Sequence, residues 1–113
     1  MCDKPLLDAL LKQVADYAKE VFGDKLKSVI LYGSYARGDY NDESDIDVMI
    51  MVDLPPEELS RYRKKMTYFC ADLNVDNGVF ITPKLQSLPL FEQWKGTLPF
   101  YQNVEREGIV VYG

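Results

Sequence analysis

The stretch GSYARGDYNDESDIDVMI, residues 33–50, sets a Gly-Ser pair, one arginine and two alternating aspartates just ahead of an apolar run. Period-two strand geometry puts Asp45 and Asp47 on one face, with Ile46 and Val48 on the other. Carboxylates that converge repel, and one stays protonated unless a cation lies between them. A divalent metal supplies that cation, polarises a phosphate oxygen and orients an attacking group. At the other end, Gly33 closes a strand and Ser34 opens a short helical turn, so backbone N–H groups and a hydroxyl form an anion cradle. Arg37, one turn on, brings a fork of donors to the same anion. Gly38 lets the chain leave that turn. An anion cradle beside an acid pair points to a nucleoside triphosphate with magnesium, and so to phosphoryl or nucleotidyl transfer.

A third carboxylate is expected on a neighbouring strand, to bind metal or to draw the proton from the incoming nucleophile. Asp76, in the strand-like NVDNGVFIT, is the choice, and Asp72 competes from the end of the preceding helix. Each residue also has a plainer reading. Asp76 fits an ordinary turn acid, and Arg37 fits a cap paired with Asp39 or Glu43. Asp42 and Glu43 read as solvated loop acids, with Glu43 placed to tune the metal site. The basic run Arg61, Arg63, Lys64 and Lys65 reads first as an exposed helix face and only second as a triphosphate clamp.

The elements that position these residues follow from patterning. Leu7, Leu10, Leu11, Val14, Ala18 and Val21 recur at helical spacing, with Pro5 in the first turn and Gly23 at the stop, which predicts a helix over 5–22. Residues 27–32 and 45–52 read as buried strands, the second ended by Asp53 and Pro55-Pro56. A second helix is expected over 56–72, with Glu57 and Glu58 favouring its dipole. A third strand is expected over 74–82, bulged near Asn77-Gly78. Helical stretches follow near 85–94 and 100–107, then an edge strand over 109–112. The alternation indicates an α/β or α+β fold.

Length and composition narrow the function. The 113 residues argue for one domain, residues 1–113, of globular composition with 47% hydrophobic and 27% charged residues. A domain this small buries roughly two-thirds of its unfolded-chain surface, so part of an enzyme site would come from another chain. A net charge of −5 repels a nucleic-acid backbone, and no direct nucleic-acid binding is expected. The absence of histidine removes Ser-His and Cys-His nucleophiles and the commonest zinc ligand. A metal would be held by oxygen, as magnesium, manganese or calcium. Cys2 and Cys70 make no metal or redox spacing. With no signal peptide and no bilayer-length apolar run, the expectation is a cytoplasmic chain with free thiols and no membrane association. Phe91, Trp94, Phe100 and Tyr101 are first core and cover, and second a partner or homo-oligomer surface.

Ser34, ten intervening residues and Asp45-Ile46-Asp47 resemble the GS-x10-DxD pattern of the DNA polymerase β-like nucleotidyltransferases. The fuller GSYARGDYNDESDID resembles the GSxARG…SDID signature of the minimal nucleotidyltransferase (MNT) family. The likeness covers most of the chain, including the closing NVEREGIVVY. It implies a polymerase β-like α/β (α+β) core, a short mixed sheet with helices on one side. It also implies Asp45 and Asp47 as metal ligands, Asp76 as third carboxylate, Gly33 and Ser34 on the triphosphate, Mg²⁺ or Mn²⁺ as cofactor, and ATP as substrate. Minimal nucleotidyltransferases are commonly paired with helical HEPN proteins as antitoxin and toxin, and some transfer AMP onto a tyrosine of that partner. The expectation is therefore a Mg²⁺-dependent transfer of AMP to a hydroxyl of a partner protein. One alternative is a non-catalytic antitoxin acting by occlusion. Another is a small-molecule, aminoglycoside-like nucleotidyltransferase subunit, although larger relatives of that kind carry an added helical domain for which this chain has no room.

Overall fold

The computed structural model of the chain describes residues 3–41 and 43–113; Cys2 and Asp42 lie outside them. Helix α1 (Lys4–Phe22) begins where the Asp3 carboxylate accepts the Leu6 N–H at 2.9 Å, satisfying a donor that a helix leaves unpaired. It buries Leu10, Leu11, Val14, Ala15, Ala18 and Phe22, the stripe expected of its sequence. A 3-10 turn (Gly23–Lys25) leads into strand β1 (Leu26–Tyr32), and the one-turn helix α2 (Ser34–Arg37) lies on the way to β2 (Ile46–Val52). Helix α3 (Pro56–Leu59), helix α4 (Arg63–Asn77), strand β3 (Ile81–Ser87), helices α5 (Leu88–Trp94) and α6 (Pro99–Glu107), and strand β4 (Ile109–Tyr112) complete the order. Strand β1 is antiparallel to both β2 and β4, while β2 is parallel to β3, so the sheet is mixed with order β3-β2-β1-β4.

Strand β2 shows why its sequence reads as it does. Ile46, Val48, Ile50 and Val52 face a core shared with α1 and α4, none more than 1% exposed. Met49 and Met51 face the other way, against Phe91 of α5 and Tyr101 and Val104 of α6. A strand covered on both faces has no solvent side and loses the polar-apolar alternation. Helices thus flank both faces, not the single side that the sequence resemblance implied. The reason is that Met49, Met51 and Ile30 would otherwise lie against water.

Between β2 and β3 the structure departs from the sequence reading. The helix expected over 56–72 is two helices, α3 and α4, separated where the Ser60 hydroxyl donates to the Glu57 carbonyl at 2.9 Å. Helix α4 then runs through the start of the strand expected over 74–82. Met66, Cys70 and Leu73 continue a buried stripe at helical spacing. Gly78, at φ 65°, stops the helix in the left-handed conformation and donates its N–H to the Asn74 carbonyl at 2.8 Å. Asn77-Gly78 is a helix stop rather than a strand bulge. The Asn74 side chain accepts the Ile81 N–H at 2.7 Å and donates to the Ile81 carbonyl at 3.2 Å. That pair ties the helix end to the first residue of β3, which consequently runs into the stretch expected to be helical from 85. Asp76 stands exposed in the last turn of α4, and Asp72 is exposed in mid-helix rather than at its end.

Cys70 is buried in the α4 face, where burial pushes its thiol up to about 11 and keeps it an inert hydrophobe. Among the described residues, no helix is long and apolar enough to cross a membrane. Truncating Ile50 to alanine is expected to cost about 2–5 kcal/mol of stability. Asn74→Ala, which strips the Ile81 backbone of both partners, is expected to cost about 1–3 kcal/mol. Urea denaturation measures both.

Candidate active site

The β1–β2 pairing brings the two ends of the motif together. In its register Tyr32 lies opposite Asp47, so the residue that follows Tyr32 arrives beside that carboxylate. The residue is Gly33, at φ 75°, and a Cβ there would collide with the Asp47 Oδ2 and Cγ atoms. Only glycine permits both the backbone conformation and the approach. Directly after it, α2 carries Ser34 at its first position and Arg37 at its last, and Gly38 leaves in the left-handed conformation at φ 85°.

A cleft of about 360 Å³ opens at this point. One wall is Tyr32, Gly33, Ser34, Arg37 and Asp47, and the other is α6, through Phe100, Asn103, Val104 and Glu107. Gly33, Ser34, Arg37 and Asp47, four of the residues expected from the sequence, therefore share one space. Asp45 stands one residue before β2, exposed and of the same strand parity as Asp47.

Asp47 is half-buried, and its Oδ1 accepts the Thr82 hydroxyl of β3 at 2.7 Å. Tyr32 keeps its phenol proton across the physiological range: burial first, and then the Asp47 charge, push it up to about 12. Arg37 is already engaged, with Nε 3.2 Å from Asp39 and a terminal nitrogen 3.6 Å from Glu107 of α6. The Asp39 pairing expected as its plainer reading is present, while Glu43 does not pair with it. Both contacts are exposed, and such pairs are weak enough for a more highly charged anion to displace.

The third carboxylate is where the sequence reading fails. Ile46 donates its N–H to the Phe80 carbonyl at 2.8 Å, and Asp47 is in register with Thr82. The β3 side of the acid pair therefore presents Phe80 and Thr82, and neither is an acid. Asp76, on helix α4, does not reach the strand position that made it a candidate. Among the described residues no three acidic, histidine or cysteine side chains come close enough to hold a metal ion. The donors present are oxygens: the Asp45 and Asp47 carboxylates, with the Ser34 and Thr82 hydroxyls nearby. That set fits a magnesium-type ion held by one or two carboxylates and completed by phosphate oxygens and water, and not an all-protein cage.

Tyr32, Thr82, Phe100, Asn103 and Glu107 were not singled out for this site by sequence. Tyr32 and Thr82 had a local signal, since each sits beside a motif residue in a strand. Phe100, Asn103 and Glu107 had none, because only the chain path carries α6 across the cleft.

A family model described as a nucleotidyltransferase domain matches residues 11–87. The chain belongs to this nucleotidyltransferase family. Two Methanocaldococcus jannaschii proteins, each named "Putative protein adenylyltransferase", are similar to it: one at 35% identity over 90% of the chain and 94% of the relative, the other at 32% over 90% and 95%. Among solved structures, a crystal structure of a mutant of the toxin-antitoxin pair MntA-HpeT aligns with a TM-score of 0.54 at 16% identity, covering 90% of this chain and 73% of that one. A toxin-antitoxin crystal structure with AMP-PNP aligns at 0.55 and 18%, with the same coverage. At such identities the likeness is one of fold.

For this nucleotidyltransferase, Gly33→Ala is expected to introduce about 1–3 kcal/mol of backbone strain and to push Asp47 out of place. Urea denaturation and nucleotide binding read the two effects. The Tyr32 phenolate is expected to form near pH 12 by absorbance titration, and Asp47→Asn should lower that midpoint by removing the like charge. Between pH 10 and 12 the unfolded chain releases a proton that the folded chain holds, so this tyrosine makes stability fall as pH rises through that window.

Proposed function

We propose that residues 1–113 form a single-domain adenylyltransferase that moves AMP from ATP to a hydroxyl of a separate protein. The observation that carries this reading is the convergence of Gly33, Ser34 and Arg37 with Asp47 in one cleft. The acceptor hydroxyl gives up its proton to water as its oxygen attacks the α-phosphorus, the bond from that phosphorus to the β-phosphate bridge breaks, and pyrophosphate leaves. Ser34 and the backbone at Gly33 hold the triphosphate. Arg37 exchanges Asp39 and Glu107 for a phosphate. Asp45 and Asp47 would hold Mg²⁺ or Mn²⁺, and the ion would supply positive charge against the phosphates. Thr82 holds Asp47 in its rotamer through the 2.7 Å hydrogen bond.

The relatives named as protein adenylyltransferases support a protein acceptor, and the GSYARG…SDID resemblance to minimal nucleotidyltransferases points to a HEPN-type toxin as that acceptor. A second reading, an antitoxin that acts by occlusion, draws on the lack of a third carboxylate beside the acid pair among the described residues.

The two separate in one assay. The chain is incubated with magnesium, ATP labelled at the α-phosphate and the helical protein encoded beside it. The expected outcome is label on that protein, reduced about 10²- to 10³-fold by Asp45→Asn or Asp47→Asn and unchanged by Asp76→Asn. No label from the unaltered chain overturns the enzymatic reading. Neutralisation of the toxin by an Asp45→Asn/Asp47→Asn variant supports occlusion.

A further inference from the structure

In-line displacement at phosphorus places the incoming nucleophile opposite the leaving group. In this sheet the triphosphate cradle follows β1 and the acid pair opens β2. The side left for the acceptor is that of β3, an edge strand whose outer side no other strand covers. A second cleft, of about 330 Å³, lies along that edge between α4 and β3. Arg63 and Thr67 of α4 and Lys84, Gln86 and Ser87 of β3 line it, and its lining contains two cations and no acid. Glu57 and Glu58 of α3 are exposed nearby without lining it.

These cations are not neutralised by acids of the fold. Among the described residues neither Arg63 nor Lys84 forms an ion pair, nor do Arg61, Lys64 and Lys65 beside them. All five are exposed. In a chain of net charge −5, Arg63 and Lys84 leave this cleft with positive charge that no lining acid offsets. The edge is also joined to the active site. The Lys84 ammonium lies 5.3 Å from the centre of the Phe100 ring, and Phe100 lines the nucleotide cleft.

We propose that the Arg63–Lys84 cleft docks an acidic segment of the acceptor polypeptide and so delivers its hydroxyl to the β3 side of Asp47. The inference rests on the nucleotidyl-transfer reading above for the direction of attack. It adds the chemistry of the acceptor: carboxylates flank the hydroxyl that is modified. Pro83 lacks an N–H for strand pairing, so side-chain charge rather than strand addition recognises the segment.

The probe is a fluorescein-labelled Glu-Tyr copolymer, followed by anisotropy at low ionic strength, where exposed charges are least screened. A Lys-Tyr copolymer and an oligouridylate serve as comparisons. The acidic copolymer is expected to bind, and Arg63→Glu/Lys84→Glu to weaken it on the order of ten-fold. Lys25→Glu/Lys27→Glu, a charge change of equal size on exposed residues outside the cleft, is expected to weaken it far less. An Arg63→Gln/Lys84→Gln pair gives an intermediate loss, and circular dichroism checks that each variant folds. Failure of the acidic copolymer to bind, equal binding of the basic one, or no effect of Arg63→Glu/Lys84→Glu overturns the proposal. Preference for oligouridylate overturns it in favour of a nucleic acid. Docking through Arg63 and Lys84 without AMP transfer to any hydroxyl leaves the cleft standing and removes the transfer reading. Transfer to the protein partner that ignores Arg63→Glu/Lys84→Glu does the reverse.

Discussion

An Asp47 carboxylate oxygen occupies the space that a side chain at position 33 would fill. That single close approach joins the Gly33–Ser34 turn to the Asp45–Asp47 acid pair. It requires glycine at 33, the Tyr32–Asp47 register of the antiparallel β1–β2 pair, and a β2 strand that does not slip. A slip of one residue would turn Asp47 into the core and Val48 toward the cleft, since successive strand residues face opposite sides. Burial of Ile46, Val48, Ile50 and Val52 on one face and of Met49 and Met51 on the other is what penalises the slip. The packing of the core and the geometry of the site are thus one constraint.

The same arrangement lets elements of this one domain shape the cleft beside Gly33 and Asp47. Helix α6 covers Met49 and Met51 with Tyr101 and Val104, and its exposed flank then walls the cleft with Phe100, Asn103 and Glu107. Glu107 ends that helix against Arg37 and gives the guanidinium a carboxylate partner beside the phosphate cradle. At the other edge, β3 pairs only with β2, and among the described residues Lys84 and the nearby Arg63 have no acidic partner, so the two clefts differ in character. One balances Arg37 against Asp47 and Glu107, while the only charged residues lining the other are the cations Arg63 and Lys84.

Much of this was legible in the amino-acid order. Helix α1, strands β1 and β2 and the closing α6–β4 unit formed within a residue or so of expectation, because each has a strong period or a firm stop. The Gly33–Asp47 motif was legible because its chemistry is local: residue types at fixed spacing around one turn. The segment 56–87 was not. Ser60 interrupts one expected helix, and α4 runs five residues further because Leu73 continues its buried face and Gly78 supplies the left-handed stop. Residues 74–77 carry strand-like and turn-like residues, and tertiary packing against β3 through Asn74 overrode that local preference.

Asp76 shows the limit most clearly. A carboxylate in a strand-like segment was a reasonable third ligand, but its place depended on where a helix ended. Residue types and their order alone carried the Gly33–Asp47 motif, the lack of histidine ligands and the buried character of β1 and β2. Those follow from residue type and short-range spacing. Tertiary structure alone decided that Thr82 and Phe80 lie beside the acid pair, that α6 walls the cleft, and that Arg63 and Lys84 share an edge. These are pairings across a sheet between segments distant in sequence, and no local period records the register in which they meet.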